Sequence, residues 1–194
     1  MAHEDTEQTG SVIWHVTMSL DGFIAGPGDS MDWVFDYTGP NEAVEEVLRT
    51  TGALLIGRRS YYVGRREEQL AAVSETGGEA WDGPRFVITH EPPAAPEDPS
   101  VTFLSDELPR AVEIALAAAD GRNVVVIGAT VARAAIDEGL IDEIVVHLAP
   151  VLLGEGVRLF EGRPSTPVKL ERTALAESGD ITDLWFRVLK ENAP

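Results

Sequence analysis

The 194-residue sequence contains no cysteine, and this absence excludes several kinds of site at once. Disulfides, thiol nucleophiles and thiolate-bound metal ions all require the missing side chain. Histidine is also scarce: the chain has four, and they are scattered without the spacing of a metal site. We therefore expect no metal site in this protein.

Positive charge is scarce as well, with 15 lysines and arginines against 33 acidic residues and a formal net charge of -18. Because such a surface repels phosphate groups, neither nucleic acid nor an anionic membrane is expected as a partner. No apolar run approaches the roughly 20 residues that span a bilayer, and residues 1–10 are acidic and polar, unlike a signal peptide. We expect a cytoplasmic protein with a disordered tail over residues 1–10 and one domain over residues 11–194.

The sequence does contain two apolar runs, residues 53–56 and 124–127, that each end in a glycine-led turn. The turns are Gly57-Arg58-Arg59-Ser60 and Gly128-Ala129-Thr130. Glycine lets the backbone approach a ligand closely, a helix N-terminus attracts an anion, and a guanidinium group binds two phosphate oxygens at once. Two such turns suit a nucleotide or dinucleotide, although arginines in surface salt bridges are the alternative for the first turn. Neither G-x-G-x-x-G nor G-x-x-x-x-G-K-[ST] occurs, which argues against a Rossmann domain or a nucleotide triphosphatase.

Predicted strands and helices alternate along most of the chain. The predicted strands cover residues 12–18, 53–56, 85–89, 101–104, 124–127, 142–153, 168–176 and 182–189. One predicted helix begins after the capping residue Asn41 and has an apolar stripe of Val44, Val47 and Leu48. Three further helices are predicted over residues 60–73, 107–120 and 130–138. Residues 19–40 are predicted to form a long loop. This order predicts an α/β domain with a mostly parallel central sheet, an antiparallel C-terminal hairpin and a ligand at the carboxyl ends of the strands.

Four short segments carry a resemblance to a known family. They are MSLDGFIA at residues 18–25, LIGRRSY at 55–61, GLIDE at 139–143 and PVLLGEG at 150–156. In this order they resemble the dihydrofolate reductase-like family, and within it the reductase domain of the bifunctional riboflavin-biosynthesis deaminase-reductase and its stand-alone relatives. The resemblance covers residues 12–189 and implies a three-layer α-β-α fold.

The resemblance also implies a cofactor and a reaction. NADPH would lie across the sheet edge and transfer a hydride to a small pyrimidine- or pterin-like heterocycle or to a carbonyl compound. The implied cofactor contacts are Ala25 at the nicotinamide, Gly57, Arg58, Arg59 and Ser60 at the 2′-phosphate and pyrophosphate, Thr89, and Gly128, Ala129, Thr130 and Val131 beneath the pyrophosphate. Family members usually carry Gly-Gly where this chain has Gly128-Ala129, and often an arginine where it has His90, so NADPH preference over NADH is expected to depend on Arg58 and Arg59. The alternative is a cofactor-binding module of the same fold with little or no catalysis.

Two acidic residues are the catalytic candidates. Glu42 lies near the first helix, where folate-reducing members place an acid that assists protonation, and the alternative is a solvated surface charge. Asp21 either lies at the rim of the active site, as its motif position implies, or stabilises a tight turn. Trp33 and Phe35 either stack on a flat ligand or anchor their loop, and His147 is expected to be a core or interface histidine.

A homodimer is also expected. Residues 144–153 form a long apolar run, and the hairpin that follows offers another strand edge for pairing with a second copy. Relatives pair through the same region, which is what the resemblance implies for this chain.

Overall fold

In a computed structural model of the chain, an eight-stranded sheet is the central element. The structure describes residues 10–37, 39–64, 82–94, 98–161 and 167–190. The strands are β1 (Val12–Ser19), β2 (Phe23–Ala25), β3 (Thr51–Gly57), β4 (Arg85–Ile88), β5 (Val101–Leu104), β6 (Asn123–Ile127), β7 (Glu143–Ala149), β8 (Val157–Arg158), β9 (Lys169–Ser178) and β10 (Ile181–Leu189). The helices are α1 (Glu42–Thr50), α2 (Arg58–Gly64), α3 (Leu108–Ala118) and α4 (Ala129–Asp137), with two short 3-10 helices at Pro27–Asp29 and Asp32–Tyr37.

The strand order in the main sheet is β5-β4-β3-β6-β1-β7-β10-β9. Neighbouring strands from β5 to β7 run parallel, whereas β10 is antiparallel to both β7 and β9. The short strands β2 and β8 pair with each other in a separate ribbon. The prediction of a mostly parallel sheet with an antiparallel C-terminal hairpin is therefore confirmed.

Helices cover both faces of this sheet. On one face, Trp14 and Leu55 belong to a large apolar cluster with residues of α3 and α4. Those helices contribute four alanines with no exposed surface, and such small side chains let a helix pack close to a sheet. On the other face, Val47 of α1 packs against Ile13, Val125 and Val145. The result is a three-layer arrangement in which α1, together with Tyr61 of α2, shields the face that carries Ile13.

The boundaries of α1 follow from local interactions. Asn41 caps the helix, because its side-chain oxygen accepts hydrogen bonds from the backbone N–H groups of Ala43, at 2.9 Å, and Val44, at 3.0 Å. The predicted cap is confirmed. The buried positions are Ala43 and Val47, whereas Leu48 is 45% exposed, so the predicted apolar stripe is wrong at Leu48. None of the described helices is long and apolar enough to cross a membrane.

Several predicted boundaries need correction. The predicted loop over residues 19–40 contains β2 and both 3-10 helices. The helix predicted for residues 60–73 begins at Arg58, and its part beyond Gly64 lies outside the described residues, as does the predicted tail except for Gly10.

The strand predicted for residues 142–153 ends at Ala149, directly before Pro150. Proline has no N–H group to continue the ladder, and the chain just beyond it stays beside the end of β1, where the Leu20 N–H donates to the Val151 carbonyl at 2.9 Å. Strand β7 is also an interior strand between β1 and β10. It therefore offers no free edge to a second copy, and the only described edge near the hairpin is β9.

Candidate cofactor and substrate cleft

A cleft opens where the parallel strands β1, β3, β4 and β6 end, beneath α1 and the segment that contains the 3-10 helices. The sheet contributes side chains from the face that α1 covers, among them His15, Thr17 and Ile127. A crevice outside the carboxyl ends of the strands is where open α/β sheets usually bind their ligands. The sequence-based expectation for the ligand position thus coincides with an actual cleft.

Both predicted glycine turns lie at this cleft and touch each other. Ile56 and Ile127 are register partners in β3 and β6, so Gly57 and Gly128 follow side by side. Gly128 has a φ of +107°, and a Cβ atom there would lie 2.5 Å from Ser60 Oγ. A side chain at position 128 is therefore excluded both by backbone conformation and by space.

The second turn continues directly into α4. A Cβ atom at Gly57 would lie 3.0 Å from Val131 Cγ2, so the two turns pack closely through their glycines. Ala129, which replaces the usual second glycine, is 6% exposed and belongs to the core cluster under α4. Thr130 also lines the cleft.

The two arginines of the first turn have different surroundings. Arg59 forms a two-point ion pair with Asp29, with Nε 2.9 Å from Oδ2 and Nη2 2.6 Å from Oδ1. Asp29 ends the first 3-10 helix and has a φ of +66°. The Arg58 guanidinium lies 5.6 Å from the centroid of the Tyr62 ring, and it forms no ion pair with any residue that the structure describes. Both arginines line the cleft, but only Arg58 is free of a competing carboxylate there.

Ala25 and Thr89 complete the set of predicted cofactor residues, and both line the cleft. Ala25 ends β2 and is 8% exposed, and its carbonyl oxygen would be only 2.0 Å from a Cβ atom at Gly156. Thr89 follows β4, and its hydroxyl accepts a hydrogen bond from the Glu91 N–H at 3.2 Å. The structure therefore brings every predicted cofactor residue to one cleft.

The two predicted catalytic acids do not lie there. Glu42 begins α1 with an exposed side chain outside the cleft lining, whereas Glu45, one turn further along, does line it. The Asp21 carboxylate accepts hydrogen bonds from Ser19 Oγ at 2.6 Å and from the N–H groups of Leu153 and Gly154 at 3.1 and 2.7 Å.

These hydrogen bonds define the role of Asp21. The Ser19 hydroxyl makes the largest contribution to lowering the pKa of Asp21 to about 2, and the Gly154 and Leu153 amides contribute further. The contacts support the structural alternative, in which Asp21 holds the turn after β1 against the loop after β7.

Of the two loop aromatics, Phe35 lines the cleft and Trp33 does not. The Trp33 indole nitrogen is enclosed and has no hydrogen-bond partner among the described residues. The anchoring alternative therefore fits Trp33, and Phe35 is the aromatic side chain positioned to contact a ligand.

A line of polar residues beneath the cleft was not predicted. His15 Nε2 lies 2.5 Å from His147 Nε2, and His147 Nδ1 lies 2.5 Å from Asp183 Oδ1. Asp183 also accepts hydrogen bonds from Asn41 Nδ2 at 3.1 Å and from Ser178 Oγ at 2.7 Å. The prediction of His147 as a core histidine is confirmed, since it is 3% exposed, and Asp183 has no exposed surface.

This line borders the cleft at both of its histidines, His15 and His147. His15 lines the cleft, and burial, followed by the nearby His147, lowers the pKa of His15 to about 3 although Asp183 acts in the opposite direction. Within the described residues no group of three or more histidine, aspartate and glutamate side chains has the arrangement of a metal site. The cleft therefore combines two glycine turns, Arg58 and Arg59 of the first turn, and the histidine pair.

Comparison with known protein families decides which family shares this arrangement. The family model described as RibD C-terminal domain matches residues 10–181. The chain belongs to the RibD C-terminal domain family. One relative is the uncharacterized protein YwjB of Bacillus subtilis (strain 168), to which the chain is 28% identical over 90% of its own length and 95% of YwjB.

Solved structures show the same fold as this RibD C-terminal domain. A protein of Shewanella sp. PV-4 assigned to riboflavin biosynthesis matches with a TM-score of 0.76 at 20% identity, over 93% of this chain and 99% of that one. The diaminohydroxyphosphoribosylaminopyrimidine deaminase/5-amino-6-(5-phosphoribosylamino)uracil reductase of Thermotoga maritima matches with a TM-score of 0.66 at 18% identity, over 95% of this chain and 58% of that one. The expected dihydrofolate reductase-like fold is thereby confirmed.

Proposed function

We propose that this chain is an NADPH-dependent reductase that transfers a hydride to a small pyrimidine- or pterin-like heterocycle or to a carbonyl compound. Membership of a family that contains reductases of riboflavin biosynthesis supports an oxidoreductase. The observation that carries the proposal is the pair of touching glycine turns, with two arginines beside them, at the carboxyl ends of the strands.

The residues at the turns fit the proposed cofactor. Gly128 lies against Ser60, where no side chain fits, and α4 begins directly after it, so this part of the cleft lining is backbone followed by a helix start. These features suit the pyrophosphate. A guanidinium group suits the dianionic 2′-phosphate, and Arg58 is the one without a carboxylate partner among the described residues.

When bound, NADPH supplies a hydride to the carbon atom of a C=O or C=N bond. The chain's own contribution is to hold the two flat partners together and to exclude water from between them. Phe35 and Ala25 line the cleft and offer apolar surface of the kind that a flat ring contacts.

The ion pair of Arg59 with Asp29 makes the two arginines unequal in this function. A 2′-phosphate that approached Arg59 would compete with the carboxylate of Asp29, which is already held at 2.6 Å. Arg58 is therefore expected to contribute more of the selectivity for NADPH, and Arg59 to hold the segment of the first 3-10 helix against α2.

Calorimetric titration of NADPH and NADH tests the proposal on the wild type and on Arg58→Ala and Arg59→Ala. Loss of one charge-assisted hydrogen bond costs roughly 1.5–3 kcal/mol, so Arg58→Ala is expected to weaken NADPH binding by about 10- to 100-fold. NADH affinity is expected to stay within about 2-fold, because NADH lacks the phosphate, and a higher salt concentration is expected to reduce the difference.

Arg110→Ala is the matched control, because Arg110 is an exposed arginine paired with Glu113 on α3, away from the cleft. It is expected to change the affinity for neither cofactor. Equal affinities of the wild type for NADPH and NADH would contradict the cofactor assignment.

A second candidate function is a cofactor-binding module with little or no catalysis. One observation favours it: neither Glu42 nor Asp21, the two catalytic candidates from the sequence, reaches the cleft. NADPH binding by calorimetry without NADPH oxidation in the presence of aldehydes, ketones and pyrimidines would support the binding module over the reductase.

A further inference from the structure

A chain of three side chains leads from the fully buried Asp183 through the buried His147 to His15, which is partly exposed at the cleft. Asp183 and His147 are register partners on β10 and β7, and His15 is on β1, two residues before Thr17, the register partner of His147. We propose that Asp183, His147 and His15 form a proton relay that delivers a proton to a substrate in the cleft, with His15 as the catalytic residue. His147 and Asp183 are positioning residues, and the inference rests on the proposed reductase function.

Hydrogen bonding fixes the tautomer of each imidazole. The ionised Asp183 accepts hydrogen bonds from Ser178 Oγ, Asn41 Nδ2 and His147 Nδ1, so the proton of neutral His147 is on Nδ1. His147 Nε2 is then an acceptor, and the hydrogen bond to it must be donated by His15 Nε2–H. His15 Nδ1 is left as a free acceptor, since it makes no hydrogen bond with the described residues.

The relay is charged by one proton from solvent. Protonation of His15 at Nδ1 lets its Nε2 proton move to His147 Nε2, so that the positive charge lies on His147 beside the carboxylate of Asp183. His15 is then neutral again, with its proton on Nδ1 and with Nε2 accepting a hydrogen bond from His147. This state keeps the proton on the nitrogen that no protein group engages.

Delivery of the proton reverses these steps and balances the reduction. When a carbon atom of the substrate receives the hydride, the π bond to its oxygen or nitrogen breaks and that heteroatom keeps the electron pair. The heteroatom forms a bond with the Nδ1 proton of His15, and the Nε2 proton of His147 returns to His15 Nε2. The relay loses one proton and one positive charge, and the substrate gains a hydride and a proton.

The surrounding charges favour this distribution. Burial and the neighbouring ring lower the pKa of His15, so a lasting positive charge on His15 is disfavoured, whereas His147 lies directly against Asp183. The other groups that contact Asp183, Ser178 of β9 and Asn41 before α1, are neutral, and the nearby acid of α1 that lines the cleft, Glu45, is exposed. The buried negative charge next to the relay is therefore that of Asp183.

The relay also explains how the chain can lack a catalytic acid at both predicted positions. A histidine relay replaces the missing carboxyl group, and general acid catalysis of this kind contributes typically about 10²–10⁴-fold to a rate. It suits a substrate whose reducible group is C=O or C=N, because those are the bonds whose heteroatom needs a proton.

The first test reads the tautomers directly by imidazole ¹⁵N NMR and does not depend on activity. The wild type is expected to show His15 protonated at Nε2 only and His147 at Nδ1 only near neutral pH, and to take up one proton as a coupled pair on acidification. Asp183→Asn removes the counter-charge and is expected to move that uptake to lower pH. Because Asp183 is fully buried, Ser178→Ala serves as a milder variant: it keeps the carboxylate but removes a hydrogen bond donated to it, so the carboxylate attracts a proton on His147 more strongly and the uptake is expected to move slightly to higher pH.

The second test measures reduction of 4-nitrobenzaldehyde and related aldehydes with NADPH in the wild type and in His15→Gln. We expect His15→Gln to bind NADPH like the wild type, to lower kcat at least about 100-fold with little change in KM, and to lose the fall of kcat with rising pH. His90→Gln, at an exposed histidine outside the relay, identifies its own NMR signal and is expected to leave the relay signals unchanged.

The outcomes separate the relay from the reductase function. Failure of NADPH to bind would contradict the proposed function whatever the tautomers are. NADPH binding together with a proton on His15 Nδ1 at neutral pH, or with independent titration of the two histidines, would overturn the relay alone. Correct tautomers with no turnover of any aldehyde, or with equal kcat in His15→Gln, would overturn the catalytic role and leave a structural histidine pair.

Discussion

Replacement of Gly128 by alanine tests the central packing argument for the cleft. The residue has a φ of +107°, and an added methyl group would lie 2.5 Å from Ser60 Oγ and 3.4 Å from Ser60 Cβ. A Cβ contact under 3.0 Å does not occur in relaxed structures, so either Ser60 or the turn must move. Because the second glycine turn packs on the first through this contact, the variant perturbs both at once.

The expected cost has two parts. A non-glycine residue at such a φ costs of order 1–3 kcal/mol. Rotation of Ser60 away from the new methyl group adds about 1 kcal/mol, the usual cost of an unfavourable rotamer. We therefore expect Gly128→Ala to lower the free energy of unfolding by about 2–4 kcal/mol, out of the roughly 5–15 kcal/mol that stabilises a typical domain.

Two further variants separate these parts in urea unfolding followed by circular dichroism. Gly139→Ala has a φ of +68° with no atom within 4 Å of the new Cβ, so it reports backbone strain alone, about 1–2 kcal/mol. In a Ser60→Ala background the hydroxyl is gone, and Gly128→Ala is expected to cost about 1 kcal/mol less than in the wild type. NADPH titration of the same proteins should show weaker binding for Gly128→Ala but not for Gly139→Ala.

The reasoning is refuted if Gly128→Ala costs no more than Gly139→Ala, or if Ser60→Ala leaves its cost unchanged. Either result would mean that the two turns do not constrain each other. Normal NADPH affinity in Gly128→Ala would separately contradict the position assigned to the pyrophosphate.

Two predictions concern regions outside the cleft. Because the pKa of Asp21 is lowered from 3.8 to about 2 in the folded state, its contribution to stability is present above about pH 4 and is lost as the pH falls towards 2. Asp21→Asn should therefore be less stable than the wild type near neutral pH and approach it near pH 2; parallel curves of unfolding free energy against pH would argue against this role. We also predict a homodimer formed through β9, the outer strand, whose residues Leu170 and Leu175 are 42% and 52% exposed. Light scattering should give twice the 20.9 kDa monomer mass at micromolar concentration and the monomer mass for Leu175→Glu, while a monomeric wild type would disprove the interface.

The fold was largely predictable because its signals are local. Apolar runs that end in Gly57 and Gly128 mark strand ends, and Asn41 marks a helix start, and each signal depends only on neighbouring residues. The position of β7 in the sheet was not predictable from its run of apolar residues. An apolar run is equally compatible with an interior strand and with an edge that a second copy covers.

The site was predictable where it depends on backbone turns, and unpredictable where it depends on strand register. An apolar run that ends in glycine is a local pattern, so the residues that line the cleft at the two turns could be selected from the sequence. His147 and Asp183 are 36 residues apart in the sequence, and their contact depends on the pairing of β7 with β10. No local sequence pattern encodes that pairing. Among the acids of α1, Glu42 and Glu45 lie about one turn apart on the same face of the helix, yet only Glu45 lines the cleft.

The two side-chain contacts of Asn41 restrict which residue types can occupy position 41. Its carbonyl oxygen caps α1 through two backbone N–H groups while its amide nitrogen donates to the buried Asp183. Aspartate or serine satisfies a helix cap, but an aspartate at position 41 would set a second carboxylate against Asp183, and a serine side chain is one heavy-atom bond too short to span both groups. Two unrelated demands, one from the end of a helix and one from a buried charge, thus leave asparagine as the residue that meets both.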